Sequence, residues 1–122
     1  MKRAILIIAI AALACHREDD AKTARQLTRG EPRRGGVAIQ RYGCGACHEV
    51  QGVDGANGQV GPSLNGIGSR MYLAGRLPNT PDNMMRWIRE PQNVANGTVM
   101  PNLNVTEADA RDIAAYLYTL RQ

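Results

Sequence analysis

Apolar positions gather in four places along the 122-residue chain, each with its own spacing. Near the C-terminus, Ile113, Leu117 and Leu120 recur at intervals of four and three, the repeat of one helical face. Thr106 precedes them as a helix N-cap, with Asp109 three positions on as a weaker relative of the capping box. Upstream, "NTPDNMMRWIREP" sets Met84, Trp87 and Ile88 on one face, with Thr80 as N-cap, Pro81 at the first helical position and Pro91 as the stop. A shorter cluster, Val37, Ala38 and Ile39 within "GGVAIQRYG", predicts a brief helix ending at Tyr42 and Gly43. The fourth group, Ala4 to Ala14, is continuous rather than periodic. No segment alternates with the period of two that marks a strand, and no segment repeats another. The pattern therefore predicts an all-α domain of three to five short helices joined by long loops.

The continuous run follows Lys2 and Arg3 and ends abruptly at "CHREDD", which is the layout of an export signal over residues 1–14. Its eleven residues fall short of the ~20 that a membrane-spanning helix needs. Two processing routes fit. "ALA" at Ala12 to Ala14 suits ordinary signal cleavage, whereas "AALAC" resembles a bacterial lipoprotein box, with cleavage before Cys15 and lipid on its sulfur. The second route also accounts for a third cysteine and for the polar residues that follow. Residues 15–34 are charged and nearly free of apolar side chains, so they are expected to form a flexible tether, with His16 a solvated tail residue and the domain proper covering 35–122.

Composition narrows what such a domain can rely on. Hydrophobic residues make up 43% of the chain but aromatic ones only 4%, with no phenylalanine and thirteen glycines. A small domain so poor in large core residues usually depends on a metal, disulfides or a cofactor. The stretch "QGVDGANGQVGPSLNGIGSR" is too rich in glycine for regular structure and needs something to wrap around. Net charge is +4, or +2 once Lys2 and Arg3 are set aside, without the clustered basic patch of a nucleic-acid binder.

The chemistry concentrates in "CGACH", Cys44 to His48. A structural zinc site needs four ligands, and the folded part offers two thiols and one histidine here. A redox dithiol would normally follow a strand at the start of a helix, and no such pattern surrounds the motif. A covalent haem anchor meets its requirements: two thiols at this spacing can form thioethers to the two vinyl groups of one haem, and the next residue is placed as proximal iron ligand. An export signal and a thin aromatic core agree with that reading.

Together "YGCGACH", "GPSLNGIGSR", "LPNTPDNMMRWIREPQ", "VMPNL" and "DIAAYLYTL" resemble a class I monohaem cytochrome c. The resemblance is closest to the cytochrome c domain fused to subunit II of some bacterial haem-copper cytochrome c oxidases, and it covers residues 35–121. The copper-binding domain and membrane helices of such a subunit are not matched, so the resemblance does not imply that this chain is an oxidase subunit. It does imply a small cytochrome c fold around one covalently bound haem c per chain, held through Cys44 and Cys47. His48 and Met100 would be the axial iron ligands. Pro62 would accept the free ring N–H of His48 through its carbonyl, Arg70 would pair with a haem propionate unless it is an ordinary surface arginine, and Trp87 and Ile88 would line the pocket. Met84 and Met85 are expected as core filler, with Met71 a weaker candidate ligand than Met100. Gly36 and Tyr42 are expected to pack against Leu117 and Tyr116.

With both axial positions filled, catalysis is disfavoured and one-electron transfer is implied. The expected role is a monomeric electron carrier on the periplasmic side of a bacterial membrane, lipid-anchored or soluble, passing electrons from a quinol-oxidising complex to a terminal oxidase. The alternatives are a permanently bound redox subunit of a periplasmic dehydrogenase or reductase and, less favoured, a haem-based sensor or enzyme. No nucleic-acid partner is expected.

Overall fold

The computed structural model describes residues 16–121; the export signal over 1–14 and the lipidation site expected at Cys15 lie outside the described residues. Among the described residues five α-helices form: α1 (16–28), α2 (Pro32–Arg41), α3 (Pro81–Arg89), α4 (Pro91–Val94) and α5 (Glu107–Thr119). The small, mostly helical domain agrees with the fold expected from the sequence.

Helix α5 organises the rest. Thr106 caps it by accepting the Asp109 N–H at 3.1 Å, and Ala110, Ile113, Ala114 and Leu117 are buried along its length. Helix α2 crosses it at close range because two glycines leave a notch. A Cβ on Gly35 would lie 2.9 Å from the Tyr116 Cβ and nearer still to the Asp112 carbonyl, and one on Gly36 would lie 3.1 Å from the Tyr116 ring. Across the crossing, Arg34 grips the buried Asp112 with Nε–Oδ2 at 2.7 Å and Nη2–Oδ1 at 3.0 Å, while the Glu31 N–H donates to Oδ1 at 2.7 Å. Burying a carboxylate is costly unless it is paired and hydrogen-bonded, and here it is both. Tyr42 packs against the core cluster that contains Leu117. Its hydroxyl donates to the Asp109 carboxylate at 2.7 Å and accepts the Thr106 N–H at 3.4 Å, tying the end of α2 to the start of α5.

Residues 16–34, the described part of the expected flexible tether over 15–34, are instead largely helical. Helix α1 carries Ala24 fully buried and Thr28 2% exposed, with the Thr28 hydroxyl donating to the Ala24 carbonyl at 2.8 Å. Gly30 then approaches the Arg111 backbone more closely than a side chain would permit, and α2 begins at Pro32. Small residues four apart and a glycine make this contact, which allows close approach with little hydrophobic mass and so leaves no apolar repeat in the sequence.

Helix α3 has its expected cap, the Thr80 Oγ1 accepting from the Asn83 N–H at 3.3 Å, and buries Met84 and Ile88. Pro91 both follows its end and occupies the first turn of α4, so the segment expected as one loop after it opens with a helical turn. Two-residue strands β1 (Tyr72–Leu73) and β2 (Leu77–Pro78) pair antiparallel, too short to leave any alternation in the sequence. The core lies along α5, against which α2 and α3 each pack, with Ile39, Leu73, Met84, Ile113 and Leu117 among its members.

Candidate functional site

Gly43, at φ 71°, takes the left-handed conformation that glycine adopts without steric cost, and it turns the chain from α2 into a 3-10 turn over Cys44–Ala46. The Cys47 and His48 N–H groups then both donate to the Cys44 carbonyl, at 3.2 and 3.0 Å. This tight turn brings Cys44, Cys47 and His48 to one wall of a cavity of about 420 Å³. Leu64, Ile67, Leu73, Trp87 and Met100 are among the residues that complete the largely apolar lining. That volume lies within the ~300–1,000 Å³ range of small-molecule and cofactor sites. A smaller cleft of about 310 Å³, beside Glu49, Asn57 and Ser63, contains none of the motif's thiols or its imidazole.

The His48 ring is held in one orientation. Its Nδ1 lies 2.7 Å from the Pro62 carbonyl oxygen, which can only accept, so Nδ1 carries the proton and Nε2 keeps its lone pair. Gly61 makes room for the ring: a Cβ there would sit 2.7 Å from Nδ1 and 3.0 Å from Nε2. The glycine-rich loop wraps the motif itself. Gly58 N–H donates to the Gly45 carbonyl at 3.0 Å, Gly61 N–H donates to the Cys47 carbonyl at 2.7 Å, and Gly45 lies against Ala56 with no room for a side chain.

Cys44 and Cys47 are free thiols. Burial pushes the Cys44 thiol up, away from the thiolate on which a redox dithiol depends. Among the described residues no group of three or more His, Cys, Asp or Glu gathers where it could hold a metal ion. The donors on the cavity wall are instead two thiols, one imidazole with a free Nε2 and one thioether, around an apolar space. That set suits a covalently held haem and does not suit a four-ligand zinc centre.

Of the four methionines that follow His48, the cavity lining includes Met100 alone. Met84 is fully buried in the core, Met85 packs against it and Met71 is 79% exposed. Trp87 lines the cavity, but Ile88, the next residue on α3, turns into the core and is not part of the lining. One residue along a helix is a rotation of ~100°, which separates the two faces. Arg70 lines the cavity too, and its Nη2 donates to the Ser63 and Asn65 carbonyls at 2.6 and 3.1 Å. In that position it ties down the loop that carries Pro62.

Two residues that the sequence reading passed over shape the site. Gln92 of α4 donates through Nε2 to the Thr98 and Met100 carbonyls, at 2.7 and 3.0 Å. Asn79 donates through Nδ2 to the Ile67 and Arg70 carbonyls, each at 2.8 Å, while its Oδ1 accepts from the Tyr118 hydroxyl at 2.8 Å. Burial pushes that hydroxyl up to about 12, so it remains a donor at neutral pH. Asn79 thereby fixes the cavity wall that includes Ile67 and Arg70. No local signal marks either residue, because their bonding partners are separated from them in sequence and meet them only in the fold.

The cytochrome c family model matches residues 34–121 of the chain. The chain is also similar to cytochrome c oxidase subunit 2 of Alkalihalophilus pseudofirmus, at 35% identity over 88 residues, covering 71% of this chain and 25% of that protein. Cytochrome c oxidase subunit 2 of Bacillus sp. strain PS3 is 31% identical over 90 residues, covering 70% of this chain and 25% of that one. The chain thus spans about a quarter of the length of these curated relatives. No solved structure gives a significant match.

Proposed function

The chain belongs to the cytochrome c family, and from that premise we propose that it is a one-electron carrier in which Cys44 and Cys47 hold one haem c while His48 and Met100 take the two axial positions. The observation that carries this reading is the meeting of those four side chains on one apolar cavity, with the Nδ1 proton of His48 committed to Pro62. Haem c, when bound, supplies a ferric/ferrous couple that exchanges single electrons.

The protein's own residues account for how such a couple would be tuned. The Pro62 carbonyl makes the His48 imidazole a better donor. A thioether from Met100 is a soft ligand that favours the reduced state. Leu64, Ile67, Leu73 and Trp87 keep water from the centre, and low polarity disfavours the extra positive charge of the oxidised state. Two axial side chains leave no position for a substrate, so the chain transfers electrons and does not itself catalyse bond changes.

The carrier passes electrons from a quinol-oxidising complex to a terminal oxidase, on the periplasmic side of a bacterial membrane. Residues 1–14 direct export, and lipid on Cys15 retains the domain at the membrane surface. Among the described residues no helix is long and apolar enough to cross a membrane. The oxidase names of the relatives support the acceptor. They also favour a second reading, a subunit held permanently by a larger redox complex, because each named relative is itself a subunit. Stopped-flow mixing of the reduced protein with candidate oxidases tests the carrier. Oxidation faster than by free haem supports it, and no such acceleration rejects it. Purification from native membranes at high salt separates the two readings, since a carrier washes away and a fixed subunit does not.

A further inference from the structure

The loop that carries Met100 lines the cavity through Thr98, Val99, Met100, Pro101 and Leu103. Its ties to the body of the domain are polar. Thr98 N–H donates to the Ala95 carbonyl at 3.0 Å, and within the loop Met100 N–H donates to the Thr98 Oγ1 at 3.3 Å. The remaining tie is Gln92, whose Nε2 bridges the carbonyls of Thr98 and Met100 at 2.7 and 3.0 Å. Both partners are carbonyl oxygens, which only accept, so the side-chain amide has one sensible orientation, with its NH2 toward the loop. Gln92 sits on α4, whose first residue Pro91 is buried and fixed in the core. The bridge therefore links a rigid anchor to the backbone on either side of Val99, and so to the residue that presents the Met100 thioether.

From this geometry we infer that Gln92 is a positioning residue for Met100: its side-chain amide holds the 98–100 backbone in the conformation that keeps the sulfur directed at the cavity, and so sets how tightly the sixth ligand is held. The inference rests on Met100 being that ligand. Its energetic basis is preorganisation. The bridge fixes the 98–100 backbone before the sulfur binds, so without Gln92 more of that backbone must be ordered on ligation. Mutating the outer residues that orient a metal's ligands typically costs 10- to 100-fold in metal affinity or activity, and a loss of that order is expected in how firmly the sulfur is held. Because Gln92 is exposed and buries little of itself, its replacement should leave the fold intact.

The test uses the haem-loaded protein and free imidazole as a competing sixth ligand. For Gln92→Ala we expect half-displacement of the methionine at an imidazole concentration about tenfold lower than in the parent, with the unfolding midpoint in denaturant nearly unchanged. Gln92→Lys retains a donor of sufficient reach and should recover much of the difference, whereas Gln92→Glu presents a carboxylate to two carbonyls and should not. Equal imidazole affinity in the parent and Gln92→Ala overturns the inference, as does a change matched by an equal loss of global stability. Met100→Ala distinguishes failure of the inference from failure of its premise. If Met100→Ala leaves the spectrum of the parent unaltered, the ligand assignment itself is wrong. If it opens the site while Gln92→Ala has no effect on imidazole affinity, only the role of Gln92 is lost.

Discussion

Gly61→Ala adds one methyl group beside His48, and the structure says how far the ring must move. The new Cβ would sit 2.7 Å from Nδ1, 3.0 Å from Nε2 and nearer still to Cε1, where ordinary van der Waals contact begins near 3.4 Å. The imidazole has to retreat by roughly 1 Å to relieve a contact of this kind. It cannot do so freely, because Nδ1 is held 2.7 Å from the Pro62 carbonyl. The backbone cannot recoil either, since the Gly61 N–H is bonded to the Cys47 carbonyl at 2.7 Å. Gly61 is not in the left-handed conformation, so the methyl group rather than backbone strain is the perturbation. Overpacking of this sort costs ~1–3 kcal/mol and loss of the His48 hydrogen bond ~0.5–1.5 kcal/mol, or about 1.5–4.5 kcal/mol in all.

Two assays on protein matured in a periplasm report the outcome: denaturant unfolding for the energy, and the ferrous and ferric absorption spectra for the ligation. Gly45→Ala is the matched control. Its Cβ would meet Ala56 at 2.6 and 2.7 Å, so it should destabilise the same wrap without displacing the imidazole. Gly61→Ala protein with the stability and spectrum of the parent would refute the claim that the Gly61–Pro62 turn sets the His48 ring.

Three further outcomes follow from the site and the helix crossing. Cys44→Ala or Cys47→Ala should impair haem attachment and leave a protease-sensitive chain, since small domains built around a bound centre unfold without it; recovery of folded, protease-resistant, haem-free protein would contradict this. Met100→His should lower the midpoint potential in a redox titration, because thioether ligation raises it, whereas Met71→Leu should leave it in place; an unshifted Met100→His would mean that the ligand is misassigned. The third concerns acid stability. Burial pushes the Asp112 carboxyl up, but the Arg34 guanidinium and the Glu31 N–H more than offset this and hold it below the usual carboxylate range. A lowered folded-state value means that the carboxylate's contribution is complete above about pH 4 and is lost as pH falls through that lowered value. Arg34→Gln removes the main offset, so acid unfolding followed by circular dichroism should begin at higher pH than in the parent; an unmoved midpoint would show that the pair contributes nothing.

The chain's sequence revealed the chemistry more readily than the supports that hold it. The CGACH spacing and the periodic face of Ile113, Leu117 and Leu120 are local patterns, and each had its counterpart in the structure. Thr80 and Thr106 were legible as caps because capping is decided within four residues. Helix α1 was missed because its contact depends on Ala24, Thr28 and Gly30, whose small size reads as polar spacing until a partner surface is known. The resemblance implies that Ile88 lines the pocket beside Trp87, but α3 meets the core and the cavity on different sides, and Ile88 lies on the core side. Gln92 and Asn79 were invisible for another reason. Each serves backbone carbonyls, and a carbonyl has no signature in sequence.

Electron transfer without catalysis requires a closed centre, the one proposed with His48 and Met100 on its two sides. The most direct test is the absorption spectrum of the periplasm-matured protein, oxidised, then reduced, then exposed to carbon monoxide. A closed centre gives covalently retained haem, a low-spin ferrous spectrum, a far-red sulfur-to-iron band in the oxidised protein that disappears in Met100→Ala, and no response to carbon monoxide. A high-spin centre that takes up carbon monoxide at once would contradict it and would point to ligand sensing or catalysis instead.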